Sequence, residues 1–136
     1  MGVPPKLDVY HDEPWLTIWW DPSCDCVHSE WKAFATSVEF RAGLMKGLEA
    51  IKAKKAISYV SDTRRVSVII KKDQAWVRET WIPLAKAAGL KRIALVTGAP
   101  GLGKTTVVEI VDKVDDELFM RRFDSVDDAF KWVGRA

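Results

Sequence analysis

Two apolar runs of strand length, Ala56 to Ser61 (AISYVS) and Arg92 to Thr97 (RIALVT), flank a segment patterned as a helix. Short apolar runs alternating with helical periodicity select an α/β fold with parallel strands. The same alternation extends in both directions. Thr36 and Glu39 spell a T-x-x-E capping box, after which Phe40, Leu44, Leu48 and Ile51 recur at helical spacing. Between the two runs, Asp73 is placed to cap a helix whose Trp76, Trp81, Leu84, Ala85 and Ala88 form the buried side. Pro83 should kink that helix near its last turn, and Gly89 should end it. A helix from about Lys104 to Val114, a strand over Leu118 to Phe123 and a closing helix complete the series. The closing helix is announced by Ser125 with Asp128 and carries Val126, Ala129, Phe130 and Val133.

The chain starts differently. Trp15 to Asp21 (WLTIWWD) is rich in β-formers, Asp-Pro-Ser-Cys supplies turn chemistry, and Cys26 to Ala33 alternates again, which reads as a β-hairpin. The predicted order is β-β-α-β-α-β-α-β-α, a mostly parallel sheet covered by helices on both faces with the hairpin at one side. Residues 1–136 read as a single domain, with 1–13 as an N-terminal extension. The predicted core holds Phe40, Leu44, Leu48, Ile51, Tyr59, Trp76, Ile93, Leu95 and Phe130. Trp19 and Trp20 are adjacent in a strand, so they face opposite sides and cannot both be core.

Several classes of protein do not fit. A hydrophobic fraction of 48% with 29% charge is ordinary for a globular domain and argues against disorder. No apolar run approaches the roughly 20 residues that span a bilayer, and Met1 to Glu13 lacks a signal-peptide layout. Cys24 and Cys26 are one residue apart and cannot staple distant elements, so a reduced, cytoplasmic protein is expected. Charge is unevenly spread. Residues 41–104 carry fourteen basic against four acidic groups, while residues 1–40 carry two against seven. Solvated helix faces account for most excesses of that kind, although an anionic partner would also suit it.

A set of local patterns runs in order along the chain: Glu30-Trp31, then Glu39-Phe40-Arg41 with Gly47-Leu48, Asp62 and Arg64, Asp73-Gln74 with Trp76, Trp81 and Pro83, and Gly89 with Lys91-Arg92-Ile93-Ala94. Together they resemble the STAS-like family of small bacterial domains, related to anti-sigma-factor antagonists and more remotely to CRAL-TRIO domains. The resemblance implies the STAS-like fold and a non-enzymatic module that docks a protein or a small ligand. The antagonist subgroup carries a phosphorylatable Asp-Ser pair at the start of the second helix. This chain reads Lys72-Asp73-Gln74 there, without a hydroxyl, so that switch is not carried over.

One motif carries chemistry. Gly98-Ala-Pro-Gly-Leu-Gly103-Lys104-Thr105 matches G-x-x-x-x-G-K-[ST], in which backbone N–H groups cradle phosphates, the lysine neutralises them and the threonine ligates Mg²⁺. It follows a strand and opens a helix, as such a loop must. Asp62 ends the preceding strand run and should reach the same sheet edge, where α/β folds place ligands. The candidate anion site is therefore Gly98, Gly101, Gly103, Lys104, Thr105, Asp62 and Arg64. Against hydrolysis, the segment after Thr105 is too short for the rest of a P-loop domain, and LFMRRFD breaks the apolar strand that should end in an Mg²⁺-holding acid. Cys24, Cys26 and His28 read as a turn and an alternating strand rather than as a zinc site, which needs four ligands.

The expectation is accordingly a binding or regulatory module with no catalytic residue, no metal and no cofactor assigned. Its partner would be an unidentified protein or a small anionic ligand, without nucleic acid or membrane insertion, and with self-association into a homodimer through the hairpin side as one option. Phosphate or nucleotide binding at Gly98 to Thr105 is the first alternative. A small-molecule or lipid carrier with a closed apolar pocket lined by tryptophans is the second.

Overall fold

The computed structural model describes residues 8–134. A six-stranded sheet runs in sequence order: β1 (Asp8–Glu13), β2 (Leu16–Asp21), β3 (Cys26–Trp31), β4 (Ser58–Asp62), β5 (Arg92–Val96) and β6 (Met120–Phe123). The first three strands pair antiparallel, and β3 to β6 pair parallel. The expected hairpin is β2–β3. Ahead of it stands a strand the sequence reading left out, so three strands, not two, precede the first helix. Within the expected extension 1–13, residues 1–7 lie outside the described residues, and Asp8–Glu13 is an edge strand. Its polar sequence DVYHDE and a register shift between Val9 and His11 erase the period-two signal.

Each parallel strand is reached by a helix that carries the chain to the next position. These are α1 (Ser37–Lys54), the helical segment α2 (Lys71–Trp76) with a π turn (Val77–Trp81) and α3 (Ile82–Ala87), and α4 (Leu102–Val114). Stepping in one direction with one hand of crossover places all of them on one face. Across the sheet on that face, Val27, Tyr59, Ile93 and Met120 stand in register and anchor the larger core. α5 (Val126–Trp132) folds back to the other face, over Cys26, Val60, Ala94 and Val96. Both faces are therefore covered, but unequally. Among the described residues no helix is long and apolar enough to cross a membrane.

Local signals predicted the helix starts well, with one exception. Thr36 Oγ1 accepts from the Glu39 amide at 3.2 Å, and Glu39 Oε1 accepts from the Thr36 amide at 2.9 Å, closing the capping box. Ser125 Oγ accepts from the Asp128 amide at 3.1 Å. Gly89 takes φ 100° just after the end of α3. Asp73, however, is not the cap of α2. That place belongs to Ile70, which has no side-chain cap, and Asp73 lies inside the first turn. Its carboxylate turns across to α1 instead, for reasons given below.

Pro83 sits in the first turn of α3, and immediately before it the helix widens, the Ile82 amide bonding back to the Val77 carbonyl. The π turn directs Trp81 at α1, whose Leu44 carbonyl accepts from the indole Nε1 at 2.7 Å. Seven of the nine expected core residues are buried. Phe40 and Trp76 are half-buried and pack against the core from its rim. Trp20 packs on the larger core, while Trp19 faces the other way beside His28, with 5.1 Å between ring centroids.

Candidate functional site

Parallel strands deliver their last residues to one edge, and here Glu30, next to the last residue of β3, stands in register with Asp62 and Val96, which end β4 and β5. The connection from β4 to α2, residues 63–70, crosses this edge. Thr63 fixes its start, donating from both its amide (2.8 Å) and Oγ1 (2.7 Å) to the Val96 carbonyl. Its end is held by α4, where Thr106 Oγ1 accepts from the Ile69 amide at 3.0 Å and donates to the Gly103 carbonyl at 2.9 Å. Pinned at both ends, the strap separates two clefts.

The polar cleft, about 350 Å³, is lined by Glu30, Asp62, Arg64, Arg65, Gly98 and Ala99. Sequence reasoning brought Asp62, Arg64 and Gly98 to one place, and they do meet. Asp62 is buried, and three donors occupy it: Arg64 Nη2 at 2.7 Å, Arg64 Nε at 2.9 Å and the Arg64 amide at 3.1 Å. The pair raises the Arg64 pKa further above its already basic value. The one acid of the candidate anion site is thus committed to its neighbouring arginine.

The glycine-rich segment packs under the strap. A Cβ at Gly98 would lie 3.0 Å from the Arg64 carbonyl oxygen, and one at Gly103 only 2.0 Å from that of Val66. Both glycines therefore have a steric reason that involves no ligand. α4 opens at Leu102 rather than at Lys104, with Gly101 before it. Thr105 donates its hydroxyl to the Gly101 carbonyl at 2.9 Å. Lys104 makes no ion pair among the described residues.

The apolar cleft lies on the α1 side of the strap. It measures about 130 Å³, and its walls include Trp31, Phe34, Phe40, Val66, Val68 and Ile70. Trp31, Phe40, Val66 and Ile69 also border an inner cavity of about 50 Å³ that reaches Tyr59 and Trp81. Three residues at the mouth are exposed although apolar: Phe34 at 69%, Val68 at 47% and Ile70 at 50%. Trp31 lines the polar cleft as well, so the two share a wall. Deeper in, Ser29 Oγ and Tyr59 Oη bond at 2.9 Å, and burial pushes the Tyr59 phenol up to about 12.

Ser37, Ser67 and Asp73 are the polar side chains that line the apolar cleft, and Asp73 is the charged one. Asp73 is 3% exposed and is held through Oδ1 by Arg41 Nε (2.7 Å) and Ser37 Oγ (2.9 Å) from α1. Sequence reasoning read Phe40 as core and Asp73 as a cap, and Phe34 not at all. The available signal was Phe34-Ala-Thr36 directly ahead of a capping box, which leaves an aromatic outside the helix it precedes.

Cys24 and Cys26 are both buried, and no group of three metal-binding side chains occurs among the described residues. Comparison with protein-family models, with curated proteins and with solved structures finds no match to this chain.

Proposed function

We propose that this chain is a non-enzymatic, cytoplasmic binding module of STAS-like type that takes a small apolar molecule in the cleft between α1 and the 63–70 strap. The single observation that carries the reading is the apolar mouth. Phe34, Val68 and Ile70 stand exposed around a cleft that shares walls with an inner cavity, and Trp31 and Phe40 furnish an aromatic side, their ring centroids 5.4 Å apart. Concave apolar sites with few polar groups are the usual form of small-molecule pockets. Size limits the occupant. Apolar cavities of about 150 Å³ hold benzene, so a cleft of about 130 Å³ suits one ring or a short branched chain, not a long acyl tail.

Phosphate or nucleotide binding at Gly98 to Thr105 has less support. Asp62 is paired with Arg64, and Gly98 and Gly103 are accounted for by the strap, while a Cβ at Gly101 would meet nothing within 4 Å. A thermal-shift comparison tests the choice, since a ligand at about 100 times its Kd adds about 2.7 kcal/mol to the native state. Toluene or indole should raise the melting temperature, and ATP with Mg²⁺ or inorganic phosphate should leave it unchanged. The opposite pattern rejects the reading.

A further inference from the structure

Asp73 is the charged residue in the lining of the cleft. The Asp73 carboxylate is nearly buried, yet both donors that hold it, Arg41 Nε and Ser37 Oγ, bind the same oxygen, Oδ1. Among the described residues Oδ2 accepts no hydrogen bond, and Asp73 lines the cleft. Oδ2 is therefore the oxygen open to a donor in the cleft. From the charge geometry and the position of this oxygen, we propose that the cleft takes a small aromatic or branched alcohol or phenol, whose hydroxyl donates to Asp73 Oδ2 while its apolar body lies against Trp31, Phe34 and Phe40. The inference rests on the small-molecule reading above and adds the polar group that the ligand must carry.

The charges around Asp73 decide which donor fits. Arg41 already neutralises the carboxylate at 2.7 Å, and its Nη2 lies 3.5 Å from the Lys72 carbonyl, which brings the base of Lys72 close. An ammonium would meet the Arg41 guanidinium, and a carboxylate would meet Asp73 itself. A neutral hydroxyl meets neither obstacle and gains a charge-assisted hydrogen bond, which is shorter and stronger than a neutral one. Walls of Trp31, Phe34 and Phe40 on one side and Val66, Val68 and Ile70 on the other enclose the body of the ligand. The volume admits a ring of benzene size.

The test is an NMR titration of the full chain with phenol, anisole, toluene, benzylamine and benzoate. Phenol and anisole share a ring and differ in the donor. Phenol should bind about tenfold tighter than anisole, the usual worth of one hydrogen bond to a charged group, and should shift the amides of Phe34, Val68 and Ile70. Anisole and toluene should shift the same amides more weakly, with benzylamine and benzoate weaker than phenol. In Asp73→Asn the phenol preference should shrink several-fold. Phe34→Ala, an exposed position, should weaken phenol and toluene alike, and this variant together with the unaltered protein decides the matter if Asp73→Asn does not fold. Equal affinity for phenol and anisole, or tighter binding of benzylamine or benzoate than of phenol, overturns the donor inference and leaves the apolar reading standing. Shifts elsewhere in the protein, or none with any probe, overturn both.

Discussion

Arg41 on α1 donates from Nε to Asp73 Oδ1 on α2 across 2.7 Å, tying together the N-terminal parts of two helices that bound the apolar cleft. The same guanidinium lies 5.1 Å from the centre of the Trp76 ring. Its partner is nearly buried, while the arginine is about one-third exposed at 33%. Removing it strands a carboxylate with only Ser37 for support. Arg41→Ala should therefore lower stability by about 1–3 kcal/mol, read from the urea midpoint with an unchanged slope. A cost indistinguishable from zero would mean that the pair does not hold the helices.

Gly103 separates packing from phosphate binding. A methyl group there meets the Val66 carbonyl oxygen at 2.0 Å, and backbone on both sides must move. Gly103→Ala should cost about 1–3 kcal/mol, as overpacking does. Lys104→Ala should stay within about 0.5 kcal/mol, the usual range for surface positions away from such features. If the lysine proves to be the costlier change, the motif owes its glycines to something other than the strap.

The paired Asp62 makes a related prediction about chemistry. With its carboxylate held by three donors from Arg64, no free acid is left at the β4 end to hold Mg²⁺ beside Lys104. Purified protein should not turn over ATP or GTP. Steady phosphate release that disappears in Lys104→Ala would falsify this.

Tyr59 ties stability to alkaline pH. Its phenol rises from 10.0 to about 12 on folding, chiefly through burial. Between those values the unfolded chain loses its proton while the folded chain keeps it, so the contribution is complete below pH 10 and is lost as pH rises towards 12. Stability should fall across that window, and Tyr59→Phe should flatten the decline while losing about 0.5–1.5 kcal/mol near neutrality with the Ser29 bond. A decline of equal slope in the variant would place its origin elsewhere.

Leu48 gauges the larger core. It is buried between α1 and the sheet, and Leu48→Ala should cost about 2–5 kcal/mol in chemical denaturation. A smaller loss would mean that the surrounding side chains close over the space.

Which parts of this arrangement were legible follows from the range of the signals. The capping box at Thr36 and the N-cap at Ser125 act within three residues, so a string of residues reveals them directly. The strands AISYVS and RIALVT announced themselves by apolar runs, and their adjacency placed Asp62 beside the glycine segment. β1 stayed hidden because its polar residues are stabilised by pairing with β2, not by a pattern of their own. Asp73 was misassigned because its position suits a cap, while its actual partners, Ser37 and Arg41, lie more than thirty residues away in sequence. The cleft was illegible for a similar reason. Phe34, Val68 and Ile70 have the composition of core residues, and only the path of the strap leaves them outside it.

The central claim is that the apolar cleft, and not the glycine segment, holds the ligand. Amide shifts of labelled full-length protein, recorded with toluene and then separately with inorganic phosphate, test it most directly. The account predicts saturable shifts at Phe34, Val68 and Ile70 with toluene, and none at residues 98–105 with phosphate. Saturable phosphate shifts at Gly103, Lys104 and Thr105, with the cleft silent to toluene, would contradict it.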